Sequence, residues 1–136
     1  MSNKRAQLGN GHERLLTEVE LELMSVVWSL GKATVKEVLA HLQQGRNLAY
    51  TTVATVMKIL EQKCFLSCQK DSYAHVFLPL VSKSEYESTC IEHMVTNVFD
   101  GEPLALVQRL LEAKKLQPNE IHAIEEALKK LALSGR

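Results

Sequence analysis

A chain of 136 residues that is 46% apolar and 24% charged has enough apolar matter to bury a core, which excludes an intrinsically disordered polymer. No apolar run approaches the roughly 18 residues a membrane helix needs, and Met1-Ser2-Asn3-Lys4-Arg5 is followed by polar residues, not by a signal-peptide core. The expectation is a cytoplasmic protein without membrane insertion. Formal net charge is zero, which argues against a blanket polyanion binder and turns attention to how the charge is distributed. Residues 1–80 hold 9 cations against 7 acids, residues 81–136 hold 7 against 9, and the stretch Lys32 to His75 holds 6 against 3.

In chain order, residues 1–14 are polar, contain Gly9-Asn10-Gly11 and show no apolar period. They read as a flexible tail whose Lys4, Arg5 and Arg14 are solvated. A first helix is predicted from Thr17, whose pairing with Glu20 three residues on is a capping box. Leu16 and Leu21 are placed as a hydrophobic staple around it. Val19, Leu23, Val26, Val27 and Leu30 form its buried stripe, and Gly31 is the left-handed stop. Thr34 with Glu37 repeats the capping grammar for a shorter helix lined by Val35, Val38, Leu39 and Leu42, and Gln43 to Asn47 is a turn.

The third helix, Asn47 to Lys63, carries Val53, Val56, Met57 and Leu60 at i, i+3, i+4, i+7, so one face packs. Thr51, Thr52, Thr55, Lys58 and Gln62 fall on the other face, which holds hydroxyls, then a cation, and no acid before Glu61. That chemistry suits phosphates and base edges. A solvated amphipathic helix has a similar pattern, and the flanking elements decide between the two. Phe65 to Lys70 and Ala74 to Leu78 are short, partly alternating runs separated by Asp71-Ser72-Tyr73, with Pro79 ending the second, which predicts a β-hairpin. Three helices and a hairpin make a winged helix-turn-helix, with its DNA-reading helix third. The expected domain is residues 15–80.

Residues 81–136 are predicted to be a helical dimerisation domain. Ser82 and Glu85 cap a helix carrying Tyr86, Cys90, Ile91, Met94, Val95, Val98 and Phe99, an apolar stripe too wide for a lone surface helix. Pro103 opens the next helix, with Leu104, Val107, Leu110 and Leu111, and Pro118 opens the last, with Ile121, Ile124, Leu128 and Leu131. Three such helices bury too little alone, and their surplus apolar surface calls for a second copy of the chain.

Cys64 and Cys68 at a four-residue spacing, and Cys90-Ile91-Glu92-His93, allow a metal- or redox-responsive regulator to be drawn. Free cysteines are commonly core filler, so neither a metal nor a cofactor is expected. His41, His75 and His122 stand apart from one another, and Trp28 reads as a core anchor. There is no Gly-rich phosphate loop and no nucleophile beside a base in a recognisable motif, so the chain does not read as an enzyme. A winged-helix protein-interaction module without DNA binding is the other alternative.

Leu16-Thr17-Glu18-Val19-Glu20-Leu21-Glu22-Leu23-Met24 through Val27-Trp28, then Ala33-Thr34-Val35-Lys36-Glu37-Val38, Leu48-Ala49-Tyr50-Thr51-Thr52-Val53 and Phe77-Leu78-Pro79-Leu80-Val81-Ser82-Lys83 resemble the BlaI/MecI/CopY family of penicillinase-type repressors from about Leu16 to Leu131. The resemblance implies a winged-helix domain followed by three dimerisation helices. It also implies a homodimer on double-stranded DNA carrying an inverted-repeat operator, and relief when a membrane sensor protease, acting indirectly, triggers cleavage of the repressor. Carried over, it gives a reading face of Tyr50, Thr51, Thr52, Thr55 and Lys58, with Lys70 to His75 as the wing near phosphate. Three positions depart from the family. The chain ends Leu131-Ala132-Leu133-Ser134-Gly135-Arg136 without the cysteine-rich tail of the copper-sensing members. Cys64 stands where Gly is usual after the third helix, and Arg109-Leu110 stands where the β-lactam-responsive members have a cleavable Asn-Phe bond.

Overall fold

The computed structural model describes residues 15–42, 47–71, 73–113 and 115–134. The predicted tail lies outside the described residues, as do most of the turn after Leu42 and Ser72 of the hairpin loop. The chain divides into two units, residues 1–93 and 94–136.

In the first unit both predicted capping boxes are present, and the third helix starts at Tyr50, three residues after the predicted Asn47. Helix α1 spans Glu18–Leu30 and opens with both halves of the Thr17/Glu20 capping box. Gly31, at φ 88°, donates its amide to the Val27 carbonyl and ends the helix. Helix α2 spans Val35–His41 behind the second complete box, Thr34/Glu37. Helix α3 spans Tyr50–Gln62. The backbone then passes through Cys64 at φ 68°, so the exit reaches the left-handed region without the glycine that costs least there. Strands β1 (Leu66–Lys70) and β2 (His75–Pro79) pair antiparallel, with Cys68 opposite Phe77 and Lys70 opposite His75.

One pairing has no trace in any sequence period. Ala33, in the connection between α1 and α2, forms a β-bridge with Phe77, each amide donating to the other's carbonyl at 3.0 and 2.8 Å. It ties the hairpin to the helices as a short third strand.

Leu23, Met24, Val27, Val38, Val53, Met57, Leu60, Phe65 and Leu66 make the fully buried centre of this unit. Met24 is absent from the expected α1 stripe, whereas Leu30, which belongs to it, is exposed. Tyr86 is only 7% exposed and corrects the expectation that it lies on the dimer stripe. Its ring lies 5.9 Å from that of Trp28 and 6.0 Å, edge-on, from that of Phe65. Its hydroxyl accepts a 2.8 Å hydrogen bond from the Leu16 amide, and the Trp28 indole Nε1 donates to the Val81 carbonyl at 2.9 Å. Burial pushes the Tyr86 hydroxyl up to about 12 against the opposing pull of the Leu16 amide. The physical reason is position: the first turns of the helix that starts at Lys83 belong to this unit, and Cys90, one turn after Tyr86, packs against the same core.

Helix α4, Lys83–Asn97, therefore starts in the first unit, behind the Ser82/Glu85 box, and ends in the second. The second unit continues with α5, Pro103–Ala113, and α6, Pro118–Ser134, each opened by its proline. Asp100 (φ 56°) and Gly101 (φ 79°) turn the chain between α4 and α5. Neither α5 nor α6 has a buried residue in the single chain.

Candidate nucleic-acid interface

The α3 helix is held from behind and bare in front. Val53, Met57 and Leu60 are fully buried, while Tyr50, Thr51, Thr52, Thr55, Lys58 and Gln62 line the opposite, solvent-facing side. At its carboxyl end Lys63 reaches back to α1, where its ammonium meets both carboxylate oxygens of Glu20 at 2.8 and 3.1 Å. Burial alone would raise the Glu20 pKa. The Lys63 hydrogen bond, the Thr17 amide and the Lys63 charge outweigh that and hold the carboxyl below its usual range. Glu20 thus closes the α1 cap and anchors the end of α3 at once. At its amino end α3 starts from Ala49, and no side chain caps it, which leaves first-turn amides pointing outward.

Across from α3, the hairpin tip is closed by the Asp71 amide donating to the Ala74 carbonyl at 2.8 Å, with the Tyr73 side chain fully exposed beside it. Between α3 and the hairpin runs a cleft of about 560 Å³. Thr34, Val35 and Lys36 from the start of α2 form one wall, Tyr73, Ala74 and His75 the other, Tyr50, Ala54 and Lys58 the side along α3, and Phe77 lies at its base. Among the described residues that line it, none is acidic.

The structure therefore brings Tyr50, Lys58 and His75 together on one cleft and places Thr51, Thr52 and Thr55 on the exposed face of α3 outside that lining. Lys70 is exposed on β1, opposite His75. Thr34 and Lys36 join the cleft without having been expected there, whereas Tyr73 belongs to the Lys70 to His75 segment expected near phosphate. Lys36 gives no sequence signal, since a cation in the first turn of a short helix looks like an ordinary solvated residue.

On the second unit and the end of α4, Ile91, Met94, Val98, Leu110, Ile121, Ile124, Leu128 and Leu131 are between 38 and 70% exposed, and Val95 is half-buried. Cys64, Cys68 and Cys90 are free thiols, all half-buried. Burial, reinforced by Glu61, pushes the Cys68 thiol up, and a protonated thiol is a poor nucleophile and metal ligand. No cluster of three or more His, Cys, Asp or Glu suited to a metal occurs among the described residues. None of their helices is long and apolar enough to cross a membrane.

A family model described as "Penicillinase repressor" matches residues 16–130. The penicillinase repressor of Bacillus licheniformis is 24% identical over 113 residues, covering 83% of this chain and 88% of that protein. Among solved structures, the solution structure of the DNA-binding domain of the repressor BlaI is 26% identical, with a TM-score of 0.48 over 54% of this chain and 89% of that one. The monomeric form of Bacillus licheniformis BlaI in complex with the blaP half-operator is likewise 26% identical, with a TM-score of 0.46 over 53% and 88%.

Proposed function

We propose that this chain, which belongs to the penicillinase repressor family, represses transcription as a homodimer that reads an inverted-repeat operator with α3 and is held together by α4, α5 and α6. Membership makes it a DNA-binding transcriptional repressor and not an enzyme. The observation that carries the finer reading is the two-sidedness of α3. Its apolar face is locked into the core, so its hydroxyl-rich face and Lys58 are presented at a fixed orientation. Short polar side chains on a rigid helix reach base edges, and cations on its flank reach phosphates. Thr51, Thr52 and Thr55 take the first role, Lys58 and Lys70 the second, and His75 joins the phosphate side as a hydrogen-bonding side chain.

The exposed leucines, isoleucines and valines of α4 to α6 supply the reason for a second copy, because an apolar surface of this extent on a monomer marks an interaction site. The domain division follows, with a DNA-binding segment up to about residue 80 and a dimerising segment after it, Tyr86 excepted. Joining two winged units makes the second operator contact intramolecular. Release of repression by a cut within Leu104 to Lys115 would forfeit that linkage, with a membrane sensor protease as the indirect trigger. The Arg109-Leu110 bond lies inside α5, where Arg109 also pairs with Glu112 at 3.3 Å, so cleavage there requires that helix to unwind first.

The test is titration of the full chain onto the DNA upstream of its own reading frame, against a scrambled duplex, across a salt series, with sedimentation of the free and bound protein. The expected outcome is a dimer on an inverted repeat with affinity falling as salt rises. Equal affinity for scrambled DNA, or a salt-independent interaction, overturns the reading.

A further inference from the structure

We propose that Glu20 is a positioning residue for operator reading: through its ion pair with Lys63 it fixes how far α3 is turned about its own axis, and so where Thr51, Thr52 and Thr55 meet base edges. The inference rests on the operator-binding reading above and adds to it a residue that touches no DNA. Glu20 lies on α1, is only 5% exposed, and is the one buried charged residue among those described. Its Oε1 receives the Thr17 amide at 2.9 Å and the Lys63 ammonium at 3.1 Å, and its Oε2 receives the same ammonium at 2.8 Å. The cap immobilises the carboxylate on α1, so the pair is a fixed post with one flexible partner. Exposed pairs, by contrast, must order two long side chains in solvent.

The two ends of α3 are held unequally. Its amino end has no side-chain cap. At its carboxyl end the Cys64 amide donates to the Glu61 carbonyl at 3.0 Å and the Phe65 amide to the Leu60 carbonyl at 2.9 Å. These are the two bonds of a Schellman motif, with Cys64 in the left-handed region and Leu60 and Phe65 buried together. The motif fixes where the chain leaves the helix, and Lys63 on Glu20 fixes the azimuth. Hydrophobic burial is non-directional and sets which face of α3 turns inward. A hydrogen-bonded ion pair sets the last fraction of rotation, on which base contacts depend, since hydrogen bonds weaken steeply off axis. Lys63 stands about three turns after Thr52 at 3.6 residues per turn, so a turn of the helix at one reappears at the other. Lysines meet phosphates on long, flexible stems and tolerate such a turn, whereas a threonine hydroxyl does not.

The experiment measures the affinity of the full chain for its upstream inverted-repeat duplex and for a scrambled duplex, at one salt concentration and below the thermal transition of each variant. The readout is the ratio of the two affinities, which partial unfolding does not move because it scales both. Glu20→Gln keeps an acceptor for the Thr17 amide and abolishes the ion pair. It also removes a negative charge, so bulk electrostatics favours tighter binding to either duplex. The positioning role instead lowers the ratio by about tenfold, within the range of couplings between contacting residues. Lys63→Met, with the opposite change of charge, is expected to lower the ratio by the same factor, and the double variant by no more than either single one. Lys63→Arg keeps the pair and the ratio. Lys83→Ala, whose ammonium meets Glu87 at 3.2 Å with both side chains exposed, leaves the ratio as it was. An unchanged ratio in Glu20→Gln or Lys63→Met overturns the positioning role, as does a double variant in which the two losses multiply. Should Lys63→Met weaken both duplexes equally while Glu20→Gln tightens both, Lys63 is a phosphate contact and the proposal falls. If the unaltered chain shows no preference for the inverted repeat, the operator-binding reading itself falls.

Discussion

Residues 15–93 and 94–134 start their helices by the same rules and end in opposite conditions. Thr17/Glu20, Thr34/Glu37 and Ser82/Glu85 are capping boxes in the first stretch, and in the second the Gln117 amide is received by Glu120 at 2.8 Å. Yet α1 and α3 bury their stripes, while α5 and α6 leave comparable stripes uncovered. The difference is in the companions. The hairpin and Phe65 close the first core from the third side, and the second stretch has only helices with no sheet to cap them. An amphipathic period reports that a face needs covering, and is silent on whether the cover comes from the same chain.

The largest effect separates the two stretches outright. Ile124→Asp with Leu128→Asp should yield a monomer by sedimentation and lower apparent operator affinity by about 10² to 10⁴, the gain that linkage of two sites provides. The thermal unfolding of the winged unit should stay as it was. A dimer that survives these changes would place the cover elsewhere. Next comes Tyr86→Ala, which removes an aromatic ring from the first core. It should cost about 3 to 5 kcal/mol in denaturant unfolding, the range for aromatic truncation in cores. Tyr86→Phe, which keeps the ring and orphans the Leu16 amide, should cost about 1 to 3 kcal/mol. If Tyr86→Ala instead weakens the dimer and spares the fold, Tyr86 belongs with the second stretch after all.

Thr52→Ala or Thr55→Ala should each lose about 1 to 3 kcal/mol on the operator and relax discrimination at one base pair, as expected when a base contact is removed. Glu20 supplies a pH signature. Its folded pKa is lowered, so its contribution to stability is present above the ordinary carboxylate range and lost as pH falls through the lowered folded value. Glu20→Gln should therefore flatten the acid side of the stability profile, and a profile unchanged in shape would rule out the anchoring role. The smallest effect is a gain. Cys64→Gly should stabilise by about 1 kcal/mol, because the left-handed backbone at φ 68° strains any side chain with a Cβ. Melting with unaltered operator affinity would check it.

What can be read from the residues alone is whatever depends on near neighbours. The capping boxes, the proline starts at Pro103 and Pro118, and the buried face of α3 all rest on contacts within a few positions. What cannot be read rests on contacts between distant ones. Ala33 meets Phe77 through a single bridge that has no period to detect. Glu20 reads only as the capping partner of Thr17 until Lys63, 43 positions on, explains why it is buried. Lys36 and Lys58 belong to one cleft only once α2 and α3 are packed. Tyr86 sits on its helical stripe as the period requires, and the stripe alone does not tell which core it enters.

The position of Tyr86 also determines what happens to a severed repressor. A chain cut after α4 would keep the ring against Trp28 and Phe65 and is expected to survive as a folded fragment. It would go on visiting half-sites and slow the return of transcription in proportion to its abundance. A chain cut before Tyr86 loses part of its own core, and an opened core is cleared by general proteolysis. If the proposed dimer holds, the two cuts would be equal in ending its binding and opposite in what they leave behind: one a lingering competitor, the other a promoter free of any remnant.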